Sequence, residues 1–318
     1  MSAQSTAWSG QFIRHAKLIV SKGSQGLDLS NLRFTFEVRA SDVETPNTMI
    51  VRVFNLARET TNTIIQEFDT VTLVAGYENG NKGNIFQGDI KQFYFGNKTN
   101  VDNFLEIRAG DGDIAYNRSV INQTFPAGTT DQQTLSALAK SMDLPVAQTA
   151  EGFLTFGGIL PRGRVLFGMA RLHMRELAQQ NDCRWSIQNG VVVLVPNSGY
   201  LPGTAVEINS LNGMLGSPEQ TDNGIVVRCL LNPAIRIGQA VKINNRDIVQ
   251  SRLRSNFGFP SYTSQYYPAT VANDGLYRVI VVDHFGDTRG QGDDWYTELT
   301  CLDIDASSPP ASAVQTNG

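Results

Sequence analysis

The chain of 318 residues lacks most of what chemistry at a protein site requires. It has three cysteines, Cys183, Cys229 and Cys301, an odd number at wide spacing. Such a set excludes a disulfide framework and a zinc knuckle and predicts ordinary buried thiols. Cys229 and Cys301 fall inside strand-like apolar runs, Ile225 to Leu231 and Trp295 to Ile304. The three histidines, His15, His173 and His284, include no H-x-x-x-H or H-E-x-x-H pair that would bring two imidazoles to one metal. No apolar run approaches the roughly 20 residues that cross a bilayer; the longest, such as Val191 to Val195 and Val279 to Val282, are far shorter. Met1 to Gly10 is small and polar, without the basic-then-apolar order of a secretion signal, so a cytosolic origin is expected. Charge is scarce as well. Charged residues make up 18% of the chain, and 26 Lys and Arg against 30 Asp and Glu leave a net charge of −4. That balance offers no positive field to hold nucleic acid or an anionic membrane.

Catalytic signatures are missing too. There is no G-x-S-x-G elbow, and no cysteine stands beside a histidine in a recognisable pattern. Gly76 to Gly83 (GYENGNKG) lacks the order of a phosphate loop and reads as a hairpin turn. Asp111 with Asp113, and Asp303 with Asp305, lie at strand ends, where carboxylates ordinarily face water. Asp283, Asp287, Asp293 and Asp294 surround His284 with hard oxygens, but EF-hand spacing and a closing Glu are absent, so a hairpin loop is expected there. His173 reads as a packed or rim residue and His15 as part of an N-terminal arm. No catalytic, metal or cofactor site is assigned.

What is present is an apolar fraction of 41%, enough for a core, arranged mostly with a period of two. Strands are expected over Arg33 to Ala40, Met49 to Leu56, Thr70 to Tyr77, Ile85 to Phe95 and Asn103 to Ala109, with a short helix over Glu59 to Gln66. The period then changes. Asp131 is placed to cap a helix carrying Leu135, Leu138, Ala139 and Met142 on one face, ending before Pro145. A second helix is expected over Val165 to Gln180 on the stripe Leu166, Ala170, His173 and Leu177. Asn189-Gly190 then predicts a tight hairpin between Trp185 to Ile187 and Val191 to Val195. Beyond a turn-rich boundary at Pro196 to Gly203, strands resume at Gly224 to Leu231, Ala240 to Ile243, Gly275 to Phe285 and Trp295 to Asp303.

The second set of strands follows the order of the first. MIVRVFNL is matched by GIVVRCLLNP, TVTLVAGY by GQAVKIN, NIFQGDIKQFYF by GLYRVIVVDHFG, and NFLEIRAGDGD by WYTELTCLDID, which suggests a structural duplication. A long loop, Asn245 to Asp274, interrupts the second set. Its Arg246, Arg252, Arg254, Phe257, Phe259, Tyr262, Tyr266 and Tyr267 suit either a single-strand nucleic-acid binder or a subunit interface, and the interface is the favoured reading.

Taken together, the opening Leu27 to Leu56, the Leu135 to Met142 helix, the Leu177 to Val195 stretch with Trp185 and Asn189-Gly190, and the closing VVRCLLNPAIRIGQAVKIN resemble the baseplate hub (tail hub) proteins of long-tailed bacteriophages. The resemblance covers nearly the whole chain. It implies a mainly β chain with an α+β insertion. Two tail-tube-like antiparallel β-barrels, residues 1–115 and 206–306, would flank a small middle domain, 116–205, before a disordered tail, 307–318. It also implies a structural, non-enzymatic homotrimer whose six barrels form a pseudo-sixfold ring. One face would meet the tail-tube or distal tail protein, the other the central spike, and the outside baseplate wedge or tail-fibre proteins. DNA would pass the lumen without specific binding, with no membrane insertion. The location implied is the virion tail tip, after assembly in the host cytoplasm. The alternatives are a tail-associated glycan-degrading enzyme, using a carboxylate such as Asp143 or Glu176, and a glycan-binding tail-fibre module.

Overall fold

A computed structural model describes residues 13–97, 102–147, 157–197, 199–221, 224–244, 248–250, 275–290 and 294–303. The protein is mainly β, built largely from antiparallel pairs. Its first segment runs β1 (Arg14–Lys22), β2 (Gln25–Asp28), β3 (Phe34–Ser41), β4 (Thr48–Phe54), α1 (Arg58–Glu67), β5 (Thr70–Tyr77), β6 (Lys82–Asn97) and β7 (Asn103–Gly110). The middle follows as α2 (Asp113–Arg118), β8 (Val120–Phe125), α3 (Asp131–Ser141), β9 (Arg164–Met169), α4 (Ala170–Gln180), β10 (Cys183–Gln188) and β11 (Val191–Pro196). The last segment is β12 (Val206–Ile208), β13 (Met214–Thr221), β14 (Gly224–Leu230), β15 (Ala240–Ile243), β16 (Val249–Gln250), β17 (Leu276–Asp287) and β18 (Trp295–Asp303).

The first and last segments share one sheet. Its strand order is β16-β13-β14-β18-β17-β3-β4-β7-β6-β5-β1-β2, with β15 bridging β17 to β12. Among the described residues no sheet closes on itself. The join is β17 on β3, seven residue pairs from Val281 opposite Ser41 to Asp287 opposite Thr35. Side chains reinforce it. The Trp295 indole donates to the Gly76 carbonyl at 3.2 Å and meets Phe36 edge-on at 5.4 Å, and Arg33 pairs with Asp287 at 2.7 Å. Gly76 holds φ +150°, and a Cβ there would lie 2.1 Å from the Asn81 carbonyl oxygen, so the turn between β5 and β6 requires glycine.

Burial that alternates on strands such as β3, β5 and β18, and runs unbroken from Tyr277 to Val282 on β17, builds three apolar clusters. One lies under β1 to β7 and reaches Leu231 and Trp295; one fills the middle segment; one lies under β14, β15, β17 and β18. The middle segment is tied to the sheet by polar contacts. The buried Asp111 carboxylate accepts from the Asn189 and Gly190 amides at the β10–β11 turn, Asn47 donates to the Ile187 carbonyl, and Arg184 pairs with Asp42. Arg278, on β17, reaches back with one nitrogen to the carbonyls of Pro196, Asn197 and Gly199.

Three local expectations are corrected. Val165 to Met169 is strand, pairing with β8, and only Ala170–Gln180 is helix. Exposed Val165 and Phe167 alternate with buried Leu166, and Gly168 at φ +127° is incompatible with a helical turn. Leu166, Ala170 and Leu177 still share one core, which is why a helical stripe fitted them. Thr130, not Asp131, caps α3. Its hydroxyl accepts from the Gln133 amide while Gln133 accepts from the Thr130 amide, and Asp131 is the first helical residue. His15 stands on β1, paired with Gly76 of β5, rather than in a free arm. The hairpin at Asn189-Gly190 forms as expected, with φ of 54° and 75°.

Candidate assembly face

The strand order repeats within the sheet. β3-β4-β7-β6-β5 in the first segment has the same neighbours as β13-β14-β18-β17-β15 in the last. The interruptions repeat as well. Lys91 bulges from the β6–β7 register and Ile280 from the β17–β18 register, each just after its strand leaves β5 or β15. Beyond this the halves diverge: β1 pairs with β5 antiparallel, whereas β12 pairs with β15 parallel.

Side chains on the face turned away from the clusters keep the repeat. Arg52 on β4 stands opposite Glu106 on β7, and Arg228 on β14 stands opposite Glu298 on β18. Each pair is ion-bonded, Arg52 to Glu106 at 2.6 Å and Arg228 to Glu298 through its Nε. Each arginine also lies over the aromatic ring two residues before its glutamate, Arg52 over Phe104 at 5.9 Å and Arg228 over Tyr296 at 5.6 Å. Between these motifs, Arg39 faces Asp283 across the β17–β3 join at 3.8 Å, and Arg108 adds a second clamp on Glu106 at 2.7 Å. Glu106 is only 3% exposed. Its burial favours the neutral acid, but hydrogen bonds from Arg52 and Arg108 outweigh that and hold it below the usual carboxylate range. Asp283 goes the other way, pushed up to about 6 by burial against weaker help from Arg39.

Four arginines (Arg39, Arg52, Arg108 and Arg228) therefore share one face with four carboxylates (Glu37, Glu106, Asp283 and Glu298). Such a surface is polar and wettable, yet its positive charge is spent on neighbours rather than offered to phosphate. The sequence reading passed over these residues, although both halves carry the signal: Arg after two β-branched residues in MIVRVF and IVVRCL, and Glu two residues after an aromatic in FLE and YTE.

The reactive side chains among the described residues are engaged with neighbours. His284 is buried, its Nδ1 2.8 Å from the Thr297 hydroxyl, and burial pushes it down to about 4. Asp287 is occupied by Arg33 and the Arg289 amide. His173 contacts Glu176 and the Phe167 carbonyl, and Glu176 is paired with Arg164 at 2.7 Å. Asp143 sits exposed at φ 54° just past α3. Among the described residues no group of three or more His, Cys, Asp and Glu side chains is placed to hold a metal ion. A cavity of about 410 Å³ is lined by residues of all three segments, among them Val38, Phe86, Asp111, Val193, Ile235 and His284, with Asp111 and His284 already hydrogen-bonded. No helix of the described residues is long and apolar enough to cross a membrane. The eight loop residues expected at an interface, Arg246, Arg252, Arg254, Phe257, Phe259, Tyr262, Tyr266 and Tyr267, lie outside the described residues.

Residues 19–246 match the family model described as baseplate hub gp41. The chain belongs to that family. The match starts within β1, spans the rest of the first segment and the middle, and ends before β17 and β18. Solved structures share this fold at low identity. The 43 kDa tail protein of prophage MuSo2 from Shewanella oneidensis superposes with a TM-score of 0.56 at 8% identity, over 92% of this chain and 98% of that one. A tail protein from Neisseria meningitidis MC58 gives 0.55 at 9%, over 91% and 96%. A chain of a PdpA–VgrG complex gives 0.53 at 8%, over 93% of this hub chain and 65% of that chain. No curated protein sequence matches.

Proposed function

We propose that this chain is a structural, non-enzymatic hub at the phage tail tip. Three copies form a ring of six tube-like β units that joins the hexameric tail tube to the central spike and lets DNA pass. The observation that carries this reading is the internal repeat. One chain supplies two units with the same strand order, the same bulge and the same Arg–Glu–aromatic cluster, so threefold symmetry of the chain presents near-sixfold symmetry of units. Each unit has its own apolar cluster, supporting a division near residues 115 and 205 with the middle segment as a separate body.

The paired face supports its use as the lumen wall. A conduit for a polyanion must be wet without being adhesive, and arginines already clamped by carboxylates meet that need. The tail-tube or distal tail protein and the spike would take the two rims of the ring, and wedge or tail-fibre proteins its outside. Assembly would occur in the host cytoplasm, with no membrane insertion. Light scattering and negative-stain imaging of tails and of the purified chain test this. A mass of about 104 kDa, three chains of 34.8 kDa, with six lobes is expected. A single-chain mass in both settings would overturn it.

A further inference from the structure

The cavity lined by all three segments holds polar groups that the fold itself does not use. At about 410 Å³ it falls within the size range of small-molecule pockets. Val38 and Ala40 of β3, Phe86 of β6, Val193 of β11, and Ile235 and Val282 of the last segment give it an apolar wall. Several polar side chains of the lining are spent on the protein. Asn47 and Gln188 bond to each other and to backbone groups, and both Asp111 oxygens accept amides of the β10–β11 turn. His284 and Arg236 are different.

The Thr297 hydroxyl accepts from the Asn232 amide at 3.1 Å and lies 2.8 Å from His284 Nδ1, so its own hydrogen goes to that nitrogen. The neutral ring then carries its proton on Nε2. That N–H has no hydrogen-bond partner among the described residues, although His284 is only 4% exposed. A buried N–H beside a cavity calls for an acceptor inside it. Arg236 lines the same cavity and is exposed, which places it where the cavity opens, and its guanidinium has no ion pair or hydrogen bond among the described residues. The backbone brings the two together. Asn232 is tied to Thr297, opposite His284, and Gly238 N donates to the Val279 carbonyl, so residues 232–238 run along the stretch of β17 between them. Both unspent groups are donors. Asp111, the acid of the lining, lies just past β7, with β3 and β4 between it and β17, about 14 Å from His284 at the usual strand spacing.

From this we infer that the cavity binds a small apolar acid, its aliphatic or aromatic body against β3, β6 and β11 and its carboxylate held by His284 Nε2–H and the Arg236 guanidinium. A carboxylate suits the pair because it offers two acceptor oxygens to two donors and a charge to the arginine. The volume sets the size. At about 30 Å³ each, the share of a water molecule in the liquid, on the order of a dozen non-hydrogen atoms fit. The site is complete within one chain and does not depend on the ring. Because its lining comes from all three segments, a bound acid holds the middle segment to both halves of the sheet and stabilises the fold.

The test titrates decanoate, below its micellar concentration, into the purified chain by calorimetry, with decanol as the same body without the charge. Saturable binding of one decanoate per chain is expected, with a melting temperature that rises with its concentration and with decanol at least tenfold weaker. Arg236→Ala and His284→Leu should each weaken decanoate about tenfold, because each removes a hydrogen bond to a charged group, and should affect decanol less. Val193→Phe, which fills the cavity from a half-buried position on β11, should abolish binding of both. An absence of saturable binding to the wild-type chain would overturn the proposal and leave the cavity to water. Equal affinity for decanol would overturn recognition of the carboxylate. Decanoate binding that survives Val193→Phe, or that neither Arg236→Ala nor His284→Leu weakens, would overturn the site.

Discussion

His284 gives the most demanding prediction, because its cost is set by burial and its sign is opposite to that of its acidic neighbours. It sits on β17 between Val38 of β3 and Thr297 of β18, at the join of the two β units. The Thr297 hydroxyl accepts from the Asn232 amide at 3.1 Å, which leaves its hydrogen for Nδ1 of a neutral imidazole. Protonating Nδ1 removes that acceptor and places a charge where solvent does not reach. Burial lowers the folded-state value from 6.5 to about 4, which corresponds to about 3 kcal/mol. Between those values the unfolded chain binds the extra proton, so stability contributed above pH 6.5 is lost as pH falls toward 4. Asp111 and Asp283, pushed up to about 6 by burial, act in the reverse sense, since their protonation favours the folded state over the same window. The difference between wild type and His284→Leu cancels them. Urea unfolding at pH 7 should show the variant less stable by about 1 kcal/mol for the lost hydrogen bond. By pH 4 the order should reverse, the variant gaining about 3 kcal/mol relative to wild type over the window. Parallel pH profiles would refute the reasoning.

Other outcomes follow from single features. Gly76→Ala should cost about 2 kcal/mol or more, seen as a lower melting temperature, because its Cβ meets the Asn81 carbonyl at a φ that side chains avoid. Glu106→Gln with Glu298→Gln should free the clamped arginines. The variant should then bind duplex DNA in an anisotropy assay at 50 mM salt, where wild type does not, and lose roughly 40-fold in affinity by 200 mM if the three freed arginines, Arg52, Arg108 and Arg228, each contact one phosphate. Cys183 and Cys229 are pushed up to about 11 and about 12, and Cys301 is pushed up as well, all chiefly by burial. None should react with a maleimide in the folded chain at pH 8, and all three should react in urea.

Where the apolar period ran unbroken, the sequence was enough. The strands at Thr70–Tyr77, Asn103–Gly110 and Gly224–Leu230 lie within a residue or so of their expected positions, and Asn189-Gly190 makes its hairpin. Each rests on near-neighbour physics, alternation across a pleat or a turn needing positive φ, that a short window of residues carries. The helix expected from Val165 failed because a short apolar run fits both periods, and pairing with β8, distant in sequence, decided between them. β1 was missed for a related reason, since its place is set by pairing with β5, from Ser21 opposite Thr70 to Arg14 opposite Tyr77, far away in sequence.

The repeat was visible as an order of strands, but its meaning was not. That β17 takes β3 and that Arg52 and Arg228 meet Glu106 and Glu298 on one face are facts of pairing between distant segments. Composition and alternation determined that this chain is a mainly β protein with an α+β insertion and without a recognisable catalytic motif. Only the tertiary structure decided which strands are neighbours, because backbone hydrogen bonding offers every strand of similar pattern the same partners and side-chain packing across the finished sheet selects among them.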